Sequence, residues 1–277
     1  MATAVLTHQD LPGALGPILI DVRSTVRPST QPAVLLVHGF RGFKDYGLLT
    51  AMAERLARAG FTAVTLSVSG SGVDAAGEFA FPERFARNSY TREFADIELV
   101  IATLMAGGLG SGVPRSLGVI GHSRGGGVAL CVTRETPAID AVVTWSAIST
   151  IRRYTDAEVE AWRRAERIYT ETRDGIRLPM DYEIVEDALA HADRFDIELA
   201  AATLARPWLL VQGTADDVVS LAEGERLAAR ATDPRFASLF IAGANHSYGA
   251  AHPWAGTTAA SETLFGETVR YLTRHLG

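Results

Sequence analysis

Along the chain, strand-length runs of apolar residues alternate with longer stretches whose apolar positions recur every three or four residues. A strand covered on both faces has no polar positions to alternate with, so this texture predicts a mostly parallel sheet flanked by helices on both sides. The continuous runs are 33–37, 61–66, 117–120, 141–145, 207–212 and 238–241. Residues 18–23 read as an early antiparallel strand paired with the segment around Val5, which brings the predicted sheet to eight strands.

Helical spacing predicts helices over 48–59, stopped by Gly60 in a C-cap position, and over 91–105, with Phe94, Ile97, Val100, Ile101 and Leu104 on one face. Further helices are expected at 128–134, 221–231 and 259–275. The stretch 67–72 is too small and polar to be more than a connection. Between 148 and 206 the composition turns to Arg, Asp and Glu on a helical period, and this segment reads as a helical cap inserted into the core pattern. A single domain spanning 1–277, with that insertion within it, fits a chain of 277 residues.

The run 117–120 leads directly into Gly121-His122-Ser123-Arg124-Gly125, after which a helix begins. This is the only G-x-S-x-G in the chain. Its glycines suit a turn so sharp that the serine takes a strained backbone and the neighbouring chain leaves no room for side chains. Ser123 is therefore the candidate nucleophile, with an ordinary Gly-rich turn as the plain alternative.

A serine hydroxyl needs a base, and the base needs a third group to fix its tautomer. Asp216, in Gly213-Thr214-Ala215-Asp216-Asp217, follows the run 207–212, where a turn would expose it at the carboxyl edge of the sheet. Asp217 is its rival and reads as a solvated or capping neighbour. His246, in Gly243-Ala244-Asn245-His246, follows the run 238–241; His252 is the competitor, further from the strand end. His38 and His122 flank the proposed site and read as loop-shaping residues. The tetrahedral intermediate needs two N–H donors, assigned to the backbone of Arg124 and of Phe40 in the loop after 33–37.

Composition narrows the field. With 26 basic and 32 acidic residues the net charge is −6, which leaves no electrostatic footprint for nucleic acid. Cys131 is the single cysteine, so an intrachain disulfide and a multi-cysteine metal site are excluded. No signal-like N-terminus and no membrane-length apolar run is present, so no membrane partner is expected and a cytoplasmic location is the default.

The His38-Gly39-Phe40 loop, the elbow at Ser123, Gly213-Thr214-Ala215-Asp216 and Gly243-Ala244-Asn245-His246, in that order, resemble the α/β-hydrolase superfamily. The likeness is strongest to bacterial serine esterases of the dienelactone hydrolase and prolyl-oligopeptidase-like branch, and it spans the chain from about Gln31 onward. It implies an α/β-hydrolase fold and hydrolysis of a small-molecule carboxylic ester through an acyl-enzyme on Ser123, with no metal or organic cofactor and with a homodimer left open. Dienelactone hydrolases resemble one another in a cysteine nucleophile, and this chain departs from them with Ser123. Alternatives are a small serine peptidase or aminoacyl hydrolase, which usually looks larger, and a non-catalytic ligand-binding relative. Within the cap, Trp162, Tyr169 and Tyr182, with Trp145 at a strand end, are candidates to line a pocket. Arginines 152, 153, 163, 164, 167, 173 and 177 read as a salt-bridged surface rather than a carboxylate site.

Overall fold

The computed structural model describes residues 4–25 and 30–277. It opens with the antiparallel pair β1 (Val5–Pro12) and β2 (Pro17–Ser24), followed by β3 (Ala33–Val37), α1 (Leu49–Arg58) and β4 (Thr62–Ser67). A single 3₁₀ turn at Ser69–Ser71 occupies the expected connection. Then come α2 (Pro82–Ala86), α3 (Tyr90–Met105), β5 (Leu117–His122), α4 (Arg124–Glu135) and β6 (Ala141–Trp145). The insertion supplies α5 (Asp156–Ala165), β7 (Arg167–Glu171), β8 (Arg177–Asp181), α6 (Glu183–Ala190) and α7 (Ile197–Thr203). The chain ends with β9 (Trp208–Gly213), α8 (Leu221–Arg230), β10 (Ala237–Ile241) and α9 (Ala259–Leu276).

The main sheet has eight strands in the order β1-β2-β4-β3-β5-β6-β9-β10, and only β2 runs against the rest. Strand β3 shows why its run lacks polar positions. Val34 and Leu36 face a core shared with α1 and α9, whereas Ala33, Leu35 and Val37 face one shared with α3 and α4. Because the strands are parallel, the loops after β3, β5, β9 and β10 all emerge at one edge, the usual place for a site in such a sheet.

The insertion differs in part from the helical reading. Helix α5 starts with a full capping box between Thr155 and Glu158, as its helical spacing requires. Next, β7 and β8 pair as a two-stranded antiparallel hairpin. Helix α7 lies against α4 and α8 with Ile197, Ala200 and Ala201 in the main core, so the roof proper consists of α5, the hairpin and α6. A small apolar cluster of Trp162, Leu178, Met180 and Phe85 fastens that roof to α2, and the Trp162 indole donates to the Met180 carbonyl at 3.1 Å. Among the described residues no helix is long and apolar enough to cross a membrane.

Candidate active site

The turn between β5 and α4 is built by contact between backbones. A Cβ on Gly121 would lie 2.2 Å from the Gly125 carbonyl oxygen, one on Gly125 2.3 Å from that of His38, and one on Gly126 2.6 Å from the Ala147 side chain. With no side chain tolerated, the chain passes directly from strand to helix. Ser123, the N-cap, is held at φ 57 and ψ −124, a conformation a serine adopts only under external restraint. The restraint is visible: the Ser123 N–H donates to the Trp145 carbonyl at 2.8 Å, and the Ser123 carbonyl accepts from Gly126 at 2.9 Å. Arg124, at the first position of the helix, carries a backbone N–H of the kind a helix cannot satisfy within itself.

The loop after β3 lies against this elbow. A β-turn closed by Gly42 N–H to the Gly39 carbonyl at 3.0 Å places Phe40 and Arg41 at its tip, with Arg41 at φ 59. A Cβ on Gly39 would stand 3.0 Å from that of Ser123 and 3.5 Å from its Oγ, so the start of this turn and the serine nearly touch. His38 fixes the loop from behind. Its Nδ1 donates to the Gly39 carbonyl at 2.8 Å while its Nε2 accepts the Val68 N–H at 3.3 Å, an arrangement that requires the neutral ring. Burial pushes His38 below the ordinary histidine value, in agreement.

Asp216 and His246 come together from the loops after β9 and β10. The imidazole Nδ1 lies 2.9 and 3.1 Å from the two carboxylate oxygens of Asp216, whose side chain is fully buried, while Asp217 is exposed. Asp216 also accepts from the N–H groups of Val218 and Val219 at 3.0 and 2.9 Å and from the Gln212 amide at 3.1 Å. Burial raises the cost of its charge, but the hydrogen bond and electrostatic attraction of His246, aided by the N–H groups of Val219 and Val218, outweigh this and hold the carboxyl below its usual range. With Nδ1–H committed to Asp216, Nε2 of His246 is left as the acceptor.

His122, next to the serine, holds that imidazole in place. Its ring centroid is 4.8 Å from that of His246, and its Nε2 donates to the His246 carbonyl at 3.0 Å. Burial above all, and then the neighbouring His246, drive its value down to about 3, so the ring stays neutral over any working pH. His252, the competitor, is elsewhere: its Nδ1 accepts the Gly47 N–H at 3.2 Å and its ring stacks on Tyr46. The last link is open. Among the described residues no hydrogen bond joins the Ser123 hydroxyl to His246.

Beside Ser123 a cavity of about 890 Å³ extends beneath the roof, bordered by Phe40, Arg124, Ile148, Trp162 and Met180. Of the aromatic residues expected there, only Trp162 lines it. Trp145 faces the opposite core and donates to Thr268 at 3.1 Å, because successive strand residues point to opposite faces. Tyr169 is half exposed beneath the Arg177 guanidinium, and Tyr182 packs edge-on against Trp162. His38 and His122 hold loops together, as the sequence suggested, whereas the hydrogen bond from Gln212 to Asp216 escaped the sequence reading, having no local signal.

A mostly parallel eight-stranded sheet with a serine elbow after its fifth strand defines an α/β-hydrolase. Residues 49–277 match the prolyl oligopeptidase family, and the chain belongs to it. No curated protein matches the sequence. Among solved structures it is similar to Est1E from Butyrivibrio proteoclasticus, at 16% identity and a TM-score of 0.69 over 98% of each chain. It is similar to a dienelactone hydrolase from Anabaena variabilis, at 15% identity and a TM-score of 0.66 over 99% of this chain and 100% of that one. A puromycin-hydrolysing peptidase from Mycobacterium tuberculosis shares 20% identity and a TM-score of 0.68 over 99% of this chain, which spans 40% of that one.

Proposed function

We propose that the protein hydrolyses carboxylic esters through an acyl-enzyme on Ser123. The observation that carries this reading is the Asp216–His246 pair, whose imidazole packs against His122, the residue that precedes the strained Ser123 at a helix N-terminus. In the first half-reaction the Ser123 hydroxyl turns toward His246 Nε2, gives up its proton there and forms a bond to the ester carbonyl carbon. The negative oxygen that results is received by the backbone N–H groups of Arg124 and Phe40. The imidazolium, stabilised by Asp216, then protonates the departing alcohol. Water repeats the sequence on the acyl-enzyme and frees the acid, so the steps require no metal or organic cofactor. The Ser123–His246 hydrogen bond is expected to close on substrate binding, as catalytic hydrogen bonds commonly do.

A fluorophosphonate probe is expected to label the wild type and not Ser123→Ala; an unlabelled wild type would favour a non-catalytic ligand binder. The family, together with the likeness to a puromycin-hydrolysing peptidase, supports a second reading in which the bond is an amide. Turnover of p-nitrophenyl acyl esters beside aminoacyl amides separates the two. Exclusive amide turnover would overturn the ester reading.

A further inference from the structure

The roofed cavity says more about the substrate than the elbow does. At about 890 Å³ it lies near the upper end of the range that encloses a drug-sized molecule, far larger than an acetyl group needs. Ser123 borders it, and the Ile148 N–H donates to the Ser123 carbonyl at 3.3 Å, so its apolar wall begins beside the nucleophile. Part of that wall is closed to water: Ile148, Trp162, Met180 and Phe195 are each no more than 5% exposed. The same lining includes Leu189 on α6, Leu199 on α7 and Val218 after β9, and these are 56, 44 and 52% exposed. Side chains this exposed mark where the cavity meets solvent.

Single exposed apolar residues are ordinary, but here three from separate elements border one cavity, which is the pattern of a binding surface. An apolar group laid along the wall would take water off side chains that folding leaves wet. Charge offers no competing anchor. The lining carries four arginines and four acids. Arg153 donates to both Glu223 oxygens at 2.8 and 2.7 Å, and Arg230 to Glu198 at 2.8 Å. Arg124 lies 3.1 Å from Glu93, and Arg152 is exposed to solvent. A carboxylate entering the cavity would find no buried cation awaiting a partner.

We propose that Leu189, Leu199 and Val218 determine specificity by holding the far part of an elongated, uncharged apolar chain whose ester end lies at Ser123. This rests on the ester-hydrolase reading above. The substrate class is an ester of a long-chain fatty acid or of a long-chain alcohol. Both present the same polymethylene chain to the wall, and the two series below separate them.

The test measures kcat/KM for p-nitrophenyl acetate, butyrate, octanoate and dodecanoate, each below its critical micelle concentration. A second series takes ethyl, butyl, octyl and dodecyl acetate, followed by titration of the released acid. Each value is divided by the rate with hydroxide, which removes intrinsic reactivity. In one series kcat/KM is expected to keep rising beyond the octyl member, by up to about fourfold for each methylene buried. A dodecyl chain interrupted by two mid-chain ether oxygens should lose most of that gain. Leu189→Asn/Leu199→Asn changes two exposed positions and is expected to lower the ratio of long-chain to short-chain kcat/KM on the order of tenfold. Leu6→Asn/Val113→Asn, at comparable exposure but away from the cavity, should leave the ratio as it is. No gain beyond the octyl member in either series overturns the proposal, as does an ether-interrupted chain turned over as well as its all-carbon parent. An unchanged ratio in Leu189→Asn/Leu199→Asn also overturns it; a dimer that this variant dissociates would then assign the leucines to a contact between copies of the chain. Failure of the ester-hydrolase reading looks different: no fluorophosphonate labelling and no turnover of even the acetates.

Discussion

The carboxyl edge of the sheet and the roof above it are held by different physics. At the edge, Gly121, Gly125 and Gly126 bring backbones into contact, and the neutral rings of His38 and His122 tie loop to loop without net charge. The roof is laced by ion pairs at least partly open to solvent: Arg163 with Glu160, Arg92 with Glu183, and Arg167 with Asp181 and Glu83. Contacts between backbones have no slack, whereas exposed pairs are screened and individually weak. On the proposed function the chemistry would therefore sit in the stiff part of the molecule, and the choice of substrate in the compliant part.

The sharpest way to break this contrast is one change made twice. Gly125→Ala drives a methyl into the His38 and Val37 carbonyl oxygens, 2.3 and 2.7 Å away, with backbone on both sides and nothing able to yield. It is expected to destabilise the protein by at least about 3 kcal/mol and to abolish turnover and fluorophosphonate labelling together. Gly175→Ala, in the hairpin turn at φ +79, meets only the Glu171 carboxylate at 3.6 Å. Its cost is the left-handed backbone alone, about 1–2 kcal/mol, with labelling intact. Chemical denaturation checks both, and equal losses would erase the distinction.

A smaller effect is expected from the histidine beside the nucleophile. His122→Leu removes the donor that holds the His246 carbonyl, and kcat is expected to fall on the order of tenfold to a hundredfold while KM stays nearly constant. His122→Gln, whose amide can reach the same carbonyl, should recover part of the loss. The pH dependence of stability offers a second reading. In the fold His122 titrates at about 3, against roughly 6.5 for a free histidine, so between these values the unfolded chain binds a proton that the folded one refuses. Stability must then fall as pH drops from about 6.5 toward 3. The slope of the denaturation midpoint against pH is expected to be shallower in His122→Leu; an unchanged slope would show that the buried ring contributes nothing to it.

The elbow was legible because its signals are local: an apolar run, glycines where side chains clash, a serine between strand and helix. Asp216 and His246 were legible as strand-end residues, although their contact spans 30 positions. What His122 does depends on a carbonyl 124 residues away, and His38 reaches an N–H 30 residues on; neither partner leaves a trace near the motif. The hairpin was hidden by its own stabilisation. Arg167 and Asp181 face each other across the strands as an ion pair, so its polar positions matched the charged helices around it. Trp145 was placed at the cavity from its position at a strand end, but facing is set by the strand's alternation, and Val143 on the same side already belongs to the opposite core.

The smallest expected effect lies in the roof. Arg167 clips the hairpin to α2, donating to Asp181 at 2.6 Å and to both Glu83 oxygens at 2.9 Å from a side chain one-third exposed. Arg167→Ala is expected to lower Tm by about one or two degrees at most and to raise KM several-fold for bulky esters, with short acyl esters unaffected. High salt should impose the same pattern on the wild type, since it weakens the same pairs. The informative failure would be a drop in kcat. The Arg41 guanidinium, at the tip of the loop against Ser123, donates to the Glu171 backbone carbonyl in that same hairpin. A loosened roof that slowed chemistry would mean that this bond carries its movement into the oxyanion loop, and that the compliant region reaches further into the stiff one than the ion pairs alone imply.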